Sequence, residues 1–248
     1  MKQFRAELPR VYELRDCIKD PESPEVNFQS FDEKLAISHV RDVYLRSELA
    51  LQELDGAAWE SLKKEAIPYL KKQDKKRAGW EQLFAILNQA RAYRYLKSIG
   101  CTELRFIRRC NEQRTPDLEG ELASDHVLCE VKTINPSAEE IVLRNNPPTV
   151  RSLPIELTPG FLRKLRATIE QARQQLCAYD PDRTAVHFVY LNISFDDFFA
   201  EQKDRYFQQI DNWLRETPIS GIRLVLCNDY TAFYSPLQML NASVDNIG

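Results

Sequence analysis

The chain has 248 residues, with 34 Lys and Arg, 37 Asp and Glu, and a formal net charge of −3. Its composition, 43% hydrophobic and 29% charged, is that of a globular protein and excludes a disordered or fibrous chain. The charge is unevenly distributed, because residues 61–114 carry 14 Lys and Arg against 5 Asp and Glu, and the rest of the chain carries 20 against 32. This asymmetry favours a polyanionic partner, although solvated helix faces would also explain it.

Several classes of site are excluded by residues that are scarce. The seven glycines are too far apart for the phosphate-binding loops of Rossmann or P-loop proteins. The three histidines are isolated, which excludes zinc sites built on a His pair. If a metal is bound, carboxylates are therefore expected to hold it. The first residues lack a signal peptide and no apolar run approaches ~20 residues, so the sequence predicts a cytoplasmic protein that does not insert into membranes.

Residues 1–78 are predicted to form a helical N-terminal region, separate from a domain over residues 79–248. Ser30 to Glu33 has the spacing of a capping box and predicts an amphipathic helix that runs to about Leu54. A second helix is predicted from Ala57 to Ala66. This helical region is a candidate surface for a protein partner, and the sequence leaves the oligomeric state open.

From residue 79 onward, helical and strand-like periods alternate. Thr158 and Pro159 supply an N-cap followed by an N1 proline, which predicts the start of a helix. The predicted elements are, in chain order, a helix over Gly79–Ser98, strands over Glu103–Arg109, Pro116–Glu121 and His126–Ile134, a helix over Pro159–Tyr179, a strand over Ala185–Ile193, a helix over Phe195–Arg215 and strands over Ile222–Cys227 and Thr231–Ser235. This order predicts an α/β fold with a mixed β-sheet flanked by helices.

The segment with the most informative chemistry is the hairpin predicted from Pro116 to Ile134. If its turn is centred on residues 123–124, Asp117 lies across from Glu130, with Cβ atoms about 5 Å apart. Two carboxylates so placed repel each other unless one is protonated or a cation lies between them, and Mg²⁺ or Mn²⁺ is the natural cation for oxygen ligands. The strand period of two places Lys132 on the same face as Glu130, where its ammonium can act on a metal-bound water.

The combination is more specific than its parts. An acidic residue two positions before a lysine occurs four times in the chain, but only Glu130-Val131-Lys132 lies in an apolar, strand-like segment that follows a Pro-Asp pair. The alternative is an exposed strand face with mixed charges.

Pro116-Asp117 and Glu130-Val131-Lys132 resemble the two motifs of the PD-(D/E)xK nuclease superfamily, and the order of elements over residues 79–235 is similar to its restriction-endonuclease-like fold. The resemblance implies a Mg²⁺-dependent nuclease, with Mn²⁺ as a second cation. It further implies that Asp117, Glu130 and the carbonyl of Val131 ligate the metal and that Lys132 acts on the attacking water.

Two further residues enter through this resemblance. Members of the superfamily commonly add an acidic ligand from the helix before the first strand, which here is Glu81; its alternative role is to stabilise the helix N-terminus. Gln175 and Tyr179 fit the Q-x-x-x-Y pattern of the RecB-like and lambda-exonuclease-like branch, which implies that Gln175 belongs to the catalytic site. The alternative is a polar helix residue beside a core tyrosine.

Basic residues that flank this motif are the candidates for binding nucleic acid. They are Lys75, Lys76, Arg77, Arg91, Arg94 and Arg114. The sequence favours DNA as the substrate without excluding RNA, and it does not distinguish an endonuclease from an exonuclease. The alternative function is a catalytically inactive nucleic-acid-binding or assembly module on the same fold, although such a module has no need for a repulsive carboxylate pair.

Overall fold

The computed structural model describes residues 2–71, 81–108, 114–135, 156–193 and 203–228, which form an α/β protein. The chain divides into two compact units, residues 1–106 and 107–248. The boundary predicted after residue 78 lies outside the described residues, and the helix predicted from residue 79 belongs to the first unit. Within the described ranges, no helix is both long enough and apolar enough to cross a membrane.

The first unit is largely helical, as predicted. Its elements are α1 (Lys2–Glu7), α2 (Pro9–Asp16), α3 (Phe31–Leu35), α4 (Ser38–Gln52), α5 (Gly56–Ala66), a 3₁₀ turn (Ile67–Tyr69), α6 (Glu81–Ser98) and β1 (Thr102–Phe106). Aromatic rings form part of its core, where Phe31 packs edge-on against Phe28 and Tyr44, each at a centroid distance of 4.9 Å. Such edge-to-face pairs stabilise the core beyond the area that they bury.

The single helix predicted from the capping box at Ser30 is instead two helices, α3 and α4. Ser30 adopts a left-handed conformation, with φ of 49°, and its side chain caps no N–H group. Ile37 is extended, with φ of −82° and ψ of 116°, and this interrupts the helical hydrogen bonds after Ala36. The prediction of one continuous helix to Leu54 is therefore wrong.

The N-terminus of α2 is capped from a distance. Its own N-cap residue, Leu8, has no side-chain acceptor, and the buried carboxylate of Glu48 on α4 accepts the N–H groups of Arg10 at 3.1 Å and Val11 at 2.9 Å. A carboxylate at this end of a helix also interacts favourably with the helix dipole. Glu48 therefore fixes α2 against α4.

Replacing Glu48 by alanine is expected to lower the free energy of unfolding by about 1–3 kcal/mol, because it leaves the two N–H groups of α2 without their acceptor. Urea denaturation measures this loss. The exposed Glu25→Ala variant is the control and is expected to change stability by less than about 0.5 kcal/mol. Equal stabilities of the two variants would contradict the capping role.

In the second unit, helices alternate along the chain with the strands of a mixed sheet. Its elements are β2 (Leu118–Leu122), β3 (Asp125–Ile134), α7 (Pro159–Tyr179), β4 (Val186–Ile193), α8 (Lys203–Glu216) and β5 (Arg223–Asn228). β2 pairs antiparallel with β3, and β3, β4 and β5 are parallel neighbours in that order. The strand predicted over residues 231–235 and residues 195–202 of the predicted helix lie outside the described residues.

One face of this sheet packs against α7 and α8. β3 contributes Leu128 and Ile134, and these side chains join a buried cluster with both helices and with the corresponding face of β4 and β5. α7 turns the stripe of Leu165, Ile169, Ala172 and Leu176 toward the sheet. Among the described residues this cluster includes side chains of β3, β4 and β5 but none of β2, so a polar residue on this face of β3 sits at the edge of the helix-covered core.

Asp180 fixes the connection from α7 to β4. Its buried carboxylate accepts the N–H groups of Thr184 at 3.1 Å and Ala185 at 2.9 Å, and it lies 3.0 Å from Nε2 of His187. Burial alone raises the pKa of Asp180, but hydrogen bonds from Ala185, Thr184 and His187 outweigh burial and lower the pKa to about 2.

The Asp180→Asn variant is expected to be about 1–3 kcal/mol less stable at neutral pH, because two N–H groups and an imidazole lose a charged acceptor. Since the pKa of Asp180 is lower in the folded than in the unfolded chain, its stabilisation is complete above about pH 4 and is lost as the pH falls through about 2. Urea unfolding of both proteins across this pH range should show that the difference between their free energies of unfolding becomes smaller as the pH falls. A constant difference would contradict the assignment.

Candidate active site

The two motif residues Asp117 and Glu130 both lie near the open end of the β2–β3 hairpin. The turn at residues 123–124 lies where the sequence predicts it, and its first residue has φ of 59°, as two-residue hairpin turns require. The register pairs Leu118 with Cys129, which is the predicted register. This is the last pair of the ladder, and Asp117, just before β2, donates its N–H to the carbonyl of the same Cys129.

Glu130 and Lys132 form an ion pair on the helix-covered face of β3. Nζ of Lys132 donates to Oε1 of Glu130 at 2.5 Å. Only 4% of the Glu130 side chain is exposed, against 23% for Lys132. A buried carboxylate is costly unless it is paired and hydrogen-bonded, so the lysine offsets much of this cost. The pair thus has a buried anion and a cation that solvent reaches.

Gln175, on α7, joins this ion pair from the facing helix. Its Nε2 donates to Oε2 of Glu130 at 2.8 Å and to the carbonyl of Thr115 at 2.8 Å, and its Oε1 lies 3.5 Å from Nζ of Lys132. One amide therefore contacts both members of the pair and the segment that precedes β2. The contact with Thr115 was not predicted, since a backbone carbonyl leaves no signal in the sequence.

Asp117 forms hydrogen bonds to the backbone of β3 through both its own backbone and its side chain. Its N–H donates to the carbonyl of Cys129 at 3.0 Å, and its Oδ2 accepts the N–H of Val131 at 2.8 Å. The carbonyl of Asp117 accepts the N–H of Ile107 at 3.0 Å. Three backbone groups thus hold Asp117 beside Val131, which adjoins Glu130 in β3, and the predicted roles of these residues in binding a metal stay predictions.

The donor set fits a hard divalent cation. Mg²⁺ is commonly held by one or two carboxylates, with waters and substrate phosphate oxygens completing its shell. Asp117 and Glu130 are such a pair, and with Lys132 they leave the site a formal charge of −1, which favours a cation. Among the described residues, no group of three or more His, Cys, Asp and Glu is arranged to hold a metal, so a cation here would rely on water and phosphate for its remaining ligands.

The other predicted residues belong to different parts of the chain. Glu81, Arg91 and Arg94 belong to α6 of the first unit, and their predicted roles stay predictions. Residues 75–77, which include three basic residues predicted to bind nucleic acid, lie outside the described residues. Arg114 is exposed, one residue before the Thr115 carbonyl that Gln175 contacts.

Comparison with known proteins adds no family assignment. No protein-family model, curated protein or solved structure matches the chain. The interpretation of the site therefore depends on its own geometry and on the motifs described above.

Proposed function

We propose that the second unit is a metal-dependent nuclease of the PD-(D/E)xK type, with DNA as its principal substrate, acting in the cytoplasm. The single observation that supports this most is the arrangement around Glu130. A buried carboxylate, a lysine two residues later and an amide from the facing helix converge there, and the carboxylate of Asp117 accepts the next backbone N–H along β3, that of Val131. A purely structural ion pair does not need the neighbouring Asp117.

In the proposed reaction, a water oxygen bonds to phosphorus as one ester P–O bond breaks, and the departing oxygen takes up a proton. A divalent cation held by Asp117 and Glu130 would polarise the phosphate and lower the pKa of the attacking water. Lys132 orients that water and stabilises the negative charge that develops on the phosphate. Gln175 keeps Glu130 and Lys132 in their relative positions through its two contacts.

The proposal is tested with closed circular DNA, linear DNA and single-stranded RNA, each incubated with Mg²⁺, Mn²⁺ or EDTA. Metal-dependent cleavage that EDTA abolishes is the expected result, and cutting of closed circles would identify an endonuclease. DNA binding without any cleavage would favour the inactive binding module instead. Absence of both binding and cleavage would contradict a role in nucleic-acid chemistry.

A further inference from the structure

One flank of α7 carries a continuous row of polar side chains. Lys164, Thr168, Gln171 and Gln175 recur at intervals of four, three and four residues, so they lie one above another on the same side of the helix. We call these four residues the polar row. It lies beside the buried stripe with which α7 packs on the sheet, and it spans about 16 Å at 1.5 Å per residue.

Both ends of the polar row are anchored to β3. At one end, Gln175 donates to Glu130 of the candidate active site. At the other end, Nζ of Lys164 donates to the carbonyl of Asn135 at 3.1 Å, just past the last residue of β3. The row therefore follows β3 from the candidate active site to the carboxyl end of the strand.

The composition of the polar row suits an anionic ligand. It contains no carboxylate, and Lys164 and Gln171 are both exposed, so solvent reaches an amide and an ammonium that has three N–H donors, one of which bonds to Asn135. The only acidic residue within α7, Glu170, lies on the opposite flank and pairs with Arg173 at 2.8 Å. Ammonium and amide groups are frequent donors to phosphate oxygens in nucleic-acid complexes.

We propose that the polar row binds the backbone phosphates of one nucleic-acid strand and guides that strand into the candidate active site. This inference rests on the proposed nuclease function and specifies how its substrate lies. Lys164 and Gln175 are about 16 Å apart along α7. At about 3.4 Å per nucleotide, Lys164 contacts a phosphate about five nucleotides from the bond that is hydrolysed.

The first test compares Lys164→Ala with Arg166→Ala, a matched control. Both positions are exposed and basic on the same helix, but Arg166 lies on the opposite flank from the polar row. Binding of a fluorescent oligonucleotide is measured in EDTA, so that cleavage does not interfere. Lys164→Ala is expected to weaken binding by about tenfold at low salt. The slope of log affinity against log salt concentration should fall by about one, and Arg166→Ala should bind as the wild type does.

The second test replaces one phosphate at a time by a neutral methylphosphonate. Replacement of one particular phosphate is expected to weaken binding to the wild type. The same replacement should not weaken binding to Lys164→Ala any further, because that contact is already lost. Identical scans for the two proteins, or equal losses in Lys164→Ala and Arg166→Ala, would overturn the inference while leaving the nuclease proposal intact if the wild type still cleaves. If the wild type neither binds nor cleaves, both are overturned.

Discussion

Replacing Lys132 by alanine is expected to slow metal-dependent DNA cleavage by about 10²–10³-fold, the usual effect of losing a group that stabilises charge developing in the transition state. In the structure its ammonium lies 2.5 Å from Oε1 of Glu130, at the exposed end of the ion pair. Removing this ammonium takes away a positive charge that repels a bound cation. The affinity for a divalent cation should therefore be retained or increased while the rate falls. Cleavage rates and calorimetric titration with Mn²⁺ measure the two quantities separately.

The matched control is Lys97→Ala in the first unit. Lys97 also pairs with a carboxylate, at 3.0 Å from Glu53, but both side chains are about half exposed. Its loss should leave the cleavage rate unchanged. If Lys132→Ala cleaves at the wild-type rate, the reaction takes place elsewhere. If it loses cation affinity together with activity, Lys132 supports the metal site rather than the water.

Elements with local signals could be predicted from the sequence. Thr158 caps α7 by accepting the N–H of Phe161 at 3.1 Å, as the Thr-Pro pair indicates. A turn centred in the four-residue gap between the two predicted strands was sufficient for the hairpin register. Both features depend on residues close together in the sequence, where propensity and periodicity act directly.

Features that depend on distant residues could not be predicted. Glu48 caps a helix that begins 39 positions earlier in the chain, and nothing near Pro9 indicates this partner. The break between α3 and α4 was missed for the same reason, since the spacing from Ser30 to Glu33 satisfies a capping box whatever the backbone does. The spacing of residues in the sequence indicates which hydrogen bonds are feasible, but tertiary packing determines which of them form.

Some features of the candidate site could likewise be predicted from the sequence, and others could not. The placement of Lys132 beside Glu130 followed from the period of two, and the position of Gln175 followed from a motif. The contact of Asp117 with the N–H of Val131 could not be predicted. At the open end of the hairpin, a side-chain oxygen accepts this N–H in place of a backbone carbonyl. That contact gives Asp117 a structural role in addition to the proposed metal-binding role.

Asparagine and alanine substitutions of Asp117 are expected to separate these two roles. An asparagine side chain keeps an oxygen that can accept the N–H of Val131, but it removes the negative charge. The Asp117→Asn variant should therefore keep nearly the wild-type stability, lose at least about tenfold in affinity for Mn²⁺ because metal ligands are preferentially ionised carboxylates, and lose cleavage. Asp117→Ala should lose all three, with a fall in the free energy of unfolding of about 1–3 kcal/mol.

Three measurements on each variant decide between the roles: urea unfolding, Mn²⁺ titration and cleavage. The control is Asp125→Asn, because Asp125 is an exposed carboxylate at the turn end of the same hairpin, five residues before Glu130. It should match the wild type in all three measurements. If Asp117→Asn binds Mn²⁺ as tightly as the wild type, Asp117 is only a structural residue, and the paired carboxylates do not form a metal site.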